Sequence, residues 1–332
     1  MTQIDVFTVT YNHASTLAAT LEGVAAQSHP VARVVIVDNA STDGSAEVGE
    51  GFRHRLPLEV VRNERNLGFS AAANAAMRLS SSPWVLSLNP DCRLNPTYLE
   101  RLVDAASSHG AGSATGLLLR AHGAALTAGT EVDSAGMVVH ASGRHLDRGA
   151  AGRLTEGLAR PAWVFGASGA AALLRRDALT DVAYPGGEVF DEGFFAYRED
   201  ADLAWRLQRR GWGCLYWPAA RAFHSRGLKP EVRRRGTPEI NLHSVRNRFL
   251  LRWANADWRW RLACFPWWLL RDAVVAAACL TVERSSLPSL EGAWRMREEY
   301  RARGRWNRAR ARHRWRTVGW FLPGGRERRV PA

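Results

Sequence analysis

Trp84-Val85-Leu86-Ser87-Leu88-Asn89-Pro90-Asp91-Cys92 is a short apolar run that ends in an acidic turn. Entered after Ser-Ser-Ser-Pro and left through Asn-Pro, it reads as a buried central strand whose C-terminal end delivers one carboxylate, Asp91. In an open α/β sheet that end is where ligands sit. A hard anion placed there suits a divalent cation, Mn²⁺ or Mg²⁺, whose remaining oxygen ligands come from a bound phosphate. Alone, an Asp after Asn-Pro is more often a turn residue, and the rest of the chain has to reverse that reading.

Upstream, strand and helix signals alternate. Ile4 to Thr10 is an apolar β-branched run, followed by Tyr11-Asn12-His13 and a helical pattern from Ser15 to Gln27. Val31 to Val37 repeats the strand signature and stops at Asp38-Asn39-Ala40-Ser41-Thr42-Asp43-Gly44-Ser45, a cluster of turn and cap residues. Leu58 to Val61 is a third strand, and Arg62 to Ser70 leads into an alanine-rich helix reaching Leu79. Such alternation predicts right-handed crossovers and a doubly wound, mostly parallel sheet. No GxGxxG follows the first strand, which argues against an ordinary dinucleotide-binding domain.

Downstream, a helix is expected from Pro96 to about Ser108, and residues 121–160, weakly periodic and rich in Gly, Ala and Arg, read as a loop-rich insertion or lid. The second acidic stretch runs from Phe190 to Leu207. From Glu199 its spacing is helical, with Glu199 and Asp200 in the first turn and Asp202 four residues before Arg206. Plain helix-terminal charge is the competing reading for Glu199 and Asp202. His224 follows a strand-like Cys214 to Trp217 and a short loop.

Composition divides the chain. Its net charge is +13 and hydrophobic residues make up 46%. Residues 1–225 hold 20 Lys and Arg against 23 Asp and Glu, whereas residues 226–332 hold 25 against 9. The basicity therefore belongs to the tail, and nine of the fourteen Trp also lie beyond residue 250. The division expected is a catalytic domain over 1–226 and an Arg- and Trp-rich helical tail over 227–332. The apolar stretch Leu262 to Val282 has spanning length but carries Arg271 and Asp272 at its centre, each costing about 2.5–3.5 kcal/mol in a bilayer. An interfacial helix or hairpin on an anionic membrane fits better, and a helical cap on the catalytic domain stays open. No nucleic-acid-binding module accompanies the charge. The four Cys lack CxxC or zinc-like spacing and no secretory leader opens the chain, which points to a cytoplasmic protein, peripheral on the membrane's inner face.

Six pieces in order, Thr8 to His13, Val37 to Ser45, Arg62-Asn63 to Asn66-Leu67-Gly68-Phe69, Leu88 to Asp91, Phe195 to Arg206 and Ala222-Phe223-His224-Ser225, resemble a family 2 glycosyltransferase of the GT-A fold. The likeness is to the branch that includes bacterial rhamnosyltransferases. It implies inverting transfer of a sugar from a nucleoside diphosphate to a hydroxyl of a lipid-linked or cell-surface glycan, with rhamnose from dTDP-rhamnose as the donor of choice. It further implies that Thr10, Tyr11 and Asp38 hold the nucleobase and that Asn66 and Gly68 form the turn beside the nucleoside. Asp91 matches the last acid of an Asp-x-Asp metal motif, with Asn89 at the first position, and His224 approaches the same cation. Asn89 falls to the donor, as does Arg206 unless it serves, as its spacing favours, as the ion-pair partner of Asp202, and Asp200, with Glu199 beside it, falls to the catalytic base. The rival class is an inactive transferase-like adaptor whose basic tail binds membrane or RNA.

Overall fold

In a computed structural model of the chain, the described residues are 2–226, 238–281, 284–325 and 327–330. The boundary expected between 226 and 227 falls at the edge of the first of these spans, and the basic run Arg233-Arg234-Arg235 lies outside the described residues.

The first half is strand and helix in alternation: β1 (Ile4–Thr10), α1 (Ala14–Ala25), β2 (Arg33–Asp38), α2 (Ser45–Glu50), β3 (Leu58–Arg62), α3 (Gly68–Leu79), β4 (Trp84–Leu88), β5 (Cys92–Leu94) and α4 (Tyr98–Ser108). β3, β2, β1 and β4 pair in parallel, in that order. The buried stretches of β1, β2 and β4 are near-continuous apolar runs because both faces of this core are covered. Leu17 and Leu21 of α1 and Leu99 and Leu102 of α4 seal one face, and Ala72, Ala73 and Ala76 of α3 seal the other.

Beyond β4 the sheet turns antiparallel. β6 (Ser113–His122), β7 (Thr127–Ser134), β8 (Met137–Val139), β9 (His145–Asp147), β10 (Gly152–Arg153), β11 (Ala162–Val164), β12 (Ala171–Arg175), α5 (Arg176–Val182), α6 (Glu199–Arg210) and β13 (Cys214–His224) follow. β12 docks antiparallel between β4 and β6, and β13 runs parallel to β6. Two expectations need correction. Residues 121–160 are not a loop but a set of short antiparallel strands, β7 with β10 and β8 with β9. Their periodicity is faint because the strands are short, and the first half of β7 is largely exposed and needs no apolar alternation. Nor does a loop separate Trp217 from His224. β13 continues to His224 through an irregularity between Trp217 and Arg221, where Pro218 takes no part in the ladder.

The tail is helical: α7 (Pro238–Asn255), α8 (Trp258–Ala263), α9 (Trp267–Thr281), α10 (Leu287–Arg295), α11 (Arg297–Ala309) and α12 (Arg314–Val318), with β14 (Arg328–Arg329) returning to pair with β11. These helices share a core with the first half. Phe165, Phe194 and Trp205 pack with Leu250, Trp260, Tyr300, Trp320 and Phe321, and the Trp205, Trp260 and Phe321 rings lie within 5.8 Å of one another. Among the described residues no helix is long and apolar enough to cross a membrane.

Trp260→Ala, which empties the middle of that shared cluster, is expected to cost about 3–5 kcal/mol. Urea denaturation should show one cooperative transition displaced as a whole. A biphasic curve in which only one step moves would show that tail and sheet fold separately.

Candidate functional site

The site is built where β1, β2, β4 and β13 end. The β1–α1 and β2–α2 loops are laced together by short polar side chains. Asn12 N–H donates to Ser41 Oγ (2.9 Å), Thr42 N–H to Asn12 Oδ1 (2.8 Å), His13 N–H to Ser45 Oγ (2.8 Å) and Ala14 N–H to Asp43 Oδ2 (2.9 Å). The turn residues clustered after β2 therefore brace a neighbouring loop as well as their own. Asp38 Oδ2 accepts from Ser41 N–H (3.1 Å), whereas Asp38 Oδ1 and Thr10 Oγ1 are buried without a hydrogen-bond partner. Two adjacent unpartnered polar atoms at strand ends are costly unless a ligand satisfies them. Beside them the Tyr11 side chain is exposed.

The Asn66-Leu67-Gly68 turn closes the same edge. Asn66 Oδ1 accepts from Gly68 N–H (2.9 Å), and Gly68 has φ +81°. A side chain at Gly68 would lie 2.6 Å from both the ring and the carbonyl of Phe195, so only glycine lets the two turns meet.

Asp91 and His224 come together through strand pairing. β5 runs antiparallel to β13 with Cys92 opposite His224, and Ser225 N–H donates to the Asp91 carbonyl (2.9 Å). This brings His224 Nε2 to 3.3 Å from Asp91 Oδ1. His224 Nδ1 makes a 2.8 Å hydrogen bond to Asp133 Oδ2, on β7. Asp133 is fully buried, and its Oδ1 faces Arg226 Nε (2.8 Å) and Arg120 Nε (3.0 Å), while Arg226 also pairs with Asp147. Burial opposes charge on the imidazole, but its hydrogen bonds to Asp133 and Asp91 prevail and raise its pKa to about 9. The described residues contain no group of three or more His, Cys, Asp and Glu able to hold a metal ion. What they offer is one carboxylate and one imidazole facing each other, the imidazole oriented by a carboxylate behind it. That donor set fits a hard divalent cation whose other ligands are phosphate oxygens and water.

Glu199 and Asp200 begin α6, directly after a turn in which Phe195, Tyr197 and Arg198 all have positive φ (65°, 70° and 77°). Non-glycine residues hold such angles only when their surroundings enforce them. Here α7 does so: Asn247 Nδ2 donates to the carbonyls of Phe194, Ala196 and Tyr197 at 2.8–2.9 Å, and His243 stacks on the Phe195 ring at 4.6 Å. Asp200 Oδ1 accepts from Ala201 N–H (2.7 Å). Glu199 Oε2 is buried without a partner, and both carboxylates line a narrow pocket with Phe69, Ala167, Gly169, Phe190 and Leu203. Burial pushes both pKa values above the usual carboxylate range. The neighbouring Asp200 charge adds to the effect on Glu199, and the charge of Asp147 adds to that on Asp200.

The two acidic stretches meet. Asn89 N–H donates to the Ala170 carbonyl (2.9 Å), and the next residue back, Gly169, lies against the Asp200 carboxylate. Asp147, whose charge reaches Asp200, pairs with Arg226, which binds Asp133 behind His224. One sequence assignment fails. Arg206 does not reach the cleft: it is buried, paired with Asp202 (2.8 Å), and donates to the carbonyls of Val182 (2.9 Å) and Val189 (2.7 Å). Its position one helical turn after Asp202 turns it into the core. Asp133, Arg226 and Asn247 went unnoticed in the sequence. Asp133 sits on a strand mistaken for a loop, and Asn247 lies in a tail read for its charge and tryptophans.

Comparison with known proteins places the chain in a family. The pattern of the family described as Glycosyl transferase family 2 matches residues 5–182. Over 309 residues the chain is 28% identical to N-acetylglucosaminyl-diphospho-decaprenol L-rhamnosyltransferase of Mycobacterium tuberculosis, covering 86% of this chain and 94% of that protein. Among solved structures, S. aureus TarS 1-349 aligns with a TM-score of 0.56 at 17% identity, over 92% of this chain and 88% of that one. The mannosyltransferase PcManGT from Pyrobaculum calidifontis, in complex with GDP-Man and Mn²⁺, gives 0.53 at 18% identity over 92% and 84%. At such identities the structures speak for the fold, which is of the GT-A type. The family pattern, spanning more than half of the residues, speaks for the activity: this chain belongs to glycosyl transferase family 2 and is a glycosyltransferase that draws its sugar from a nucleotide-sugar donor.

Proposed function

We propose that the protein transfers a sugar with inversion from a nucleoside diphosphate to a hydroxyl of a polyprenyl-linked or cell-surface glycan, at the cytoplasmic face of the membrane. Rhamnose from dTDP-rhamnose is the donor we favour, because the mycobacterial relative with 28% identity is named for rhamnosyl transfer to a decaprenol-linked acceptor. The observation that carries the reading is the approach of Asp200 to the end of β4, where Asp91 and His224 face each other.

In this reading the unpartnered Asp38 Oδ1 and Thr10 Oγ1 accept or share hydrogen bonds with the nucleobase, and the exposed Tyr11 ring covers it. Asn66, Gly68 and Asn89 shape the donor edge. Asp91 and His224 would hold a divalent cation, Mn²⁺ or Mg²⁺, which when bound stabilises negative charge on the leaving diphosphate. Asp200 takes the proton of the acceptor hydroxyl. The acceptor oxygen forms its bond to the anomeric carbon as the bond to the β-phosphate oxygen breaks, the electron pair leaving with the diphosphate. A single in-line step needs one base, unlike the two close carboxylates of retaining glycosidases. Burial beside Asp200 raises the pKa of Glu199, which disfavours a second negative charge there.

Asp200→Asn should reduce transfer by about 10²- to 10⁴-fold while calorimetric binding of dTDP with Mn²⁺ stays unchanged; full turnover would remove the base assignment. Because the base works ionised and its pKa is raised to about 6, turnover should fall as pH drops through about 6. A rate constant down to pH 5 would contradict it. Asp91→Ala should abolish Mn²⁺-dependent nucleotide binding. Asp133→Asn, which leaves both ligands in place, should weaken Mn²⁺ by about 10- to 100-fold in titration calorimetry. Equal affinity in that variant would reduce Asp133 to a structural group.

A further inference from the structure

Among the described residues, a group of exposed large apolar side chains lies away from the cleft, on α8, α9 and the turn between them. Trp258, Leu262, Phe265, Trp267, Leu270 and Leu280 are each 55–69% exposed. Monomeric proteins rarely leave so many large apolar side chains together in water. The two helices are nevertheless anchored to the body. Trp260 and Cys264 are buried in the shared core, and Asp272 points inward to Arg252 (2.6 Å). Trp268 Nε1 donates across the turn to the Arg261 carbonyl (2.9 Å). The body thus holds these helices through Trp260, Cys264 and Asp272 and leaves their large apolar side chains outside.

The apolar face has a basic, aromatic border. The Arg259 guanidinium lies 4.5 Å over the Trp258 ring and 5.8 Å over that of Trp315, and the two rings meet edge to face at 6.2 Å. Trp315 itself is 58% exposed. Indole rings favour the headgroup level of a bilayer, and guanidinium groups are drawn to anionic lipid. α9, with 15 residues, rises about 22 Å and is too short for a hydrocarbon core of about 30 Å. Its central acid is already committed to Arg252, so the helix can lie in the interface without burying that charge in lipid.

We propose that the outer face of α8 and α9, bordered by Trp258, Arg259 and Trp315, inserts into the surface of an anionic bilayer. The strong positive charge of residues 226–332 selects lipid over a neutral apolar partner. This deepens the reading of a lipid-linked acceptor. The β8–β9 turn connects the two places: Gly143 in that turn lies against Arg252 and Trp260, while Asp147 at its far end pairs with Arg226 beside the His224 cluster. The cleft is therefore one hairpin away from the insertion face.

The test is flotation of the full chain with phosphatidylcholine vesicles, with and without phosphatidylglycerol, at low and high salt. The wild type should float with the anionic vesicles, with a blue shift of tryptophan emission, and should be released by salt. Trp267→Ser with Leu270→Ser, both at exposed positions, should lower the bound fraction by about tenfold or more without changing the melting temperature or nucleotide binding. Equal flotation of wild type and variant overturns the proposal. So does a wild type that ignores vesicles but forms a dimer dissolved by the same substitutions, or one retained by RNA alone. Flotation needs no sugar transfer, so a wild type that floats but binds no nucleotide would overturn the transferase reading and leave this one standing.

Discussion

The 2.8 Å hydrogen bond between Asp133 Oδ2 and His224 Nδ1 holds the charge arrangement of the cleft together. Five carboxylates, those of Asp91, Asp133, Asp147, Glu199 and Asp200, gather at one edge of the sheet, and their mutual repulsion in a partly desolvated site opposes folding. The imidazolium of His224 and the guanidinium of Arg226 lie between the first three. Glu199 and Asp200 are desolvated by burial, and their pKa values rise. The cleft thereby separates into a half whose carboxylates are paired with basic groups and a half whose carboxylates ionise reluctantly.

The second constraint is conformational. A carboxylate serves as a base only when held still, and the turn leading to Asp200 takes angles that its non-glycine residues resist. The tail meets that resistance. Asn247 gathers three carbonyls of the turn, Asn255 Nδ2 donates to Asp202 Oδ1 (2.6 Å), and Tyr300 OH donates to Asp191 Oδ1 (2.8 Å). Each of these bonds runs from a tail helix to the acidic stretch that begins at Phe190. The helices that expose tryptophan to the outside therefore also brace the acidic helix inside.

Much of this was legible before any coordinates. The parallel half of the sheet followed from alternating periods of two and 3.6, since a strand covered on both faces and an amphipathic helix each leave a local signature. The acidic run at Asp91 stood out because it ends an apolar strand, and Glu199 and Asp200 because they open a helix. Less legible were the short strands between 121 and 160, whose exposed faces carry no alternation, and the inward turn of Arg206, which a helical wheel places but cannot assign to core or cleft.

Sequence alone determined the alternation of strands and helices up to α4, the strand ends at which chemistry is possible, and the change of composition after residue 226. Tertiary structure alone decided the partners. Asp133 and His224 are 91 residues apart, and Asn247 and Phe194 are 53 apart. The physical reason is that periodicity records how a residue sits on its own strand or helix, a local property. A hydrogen bond across the sheet exists only after several such elements have packed, and no local window of sequence encodes it.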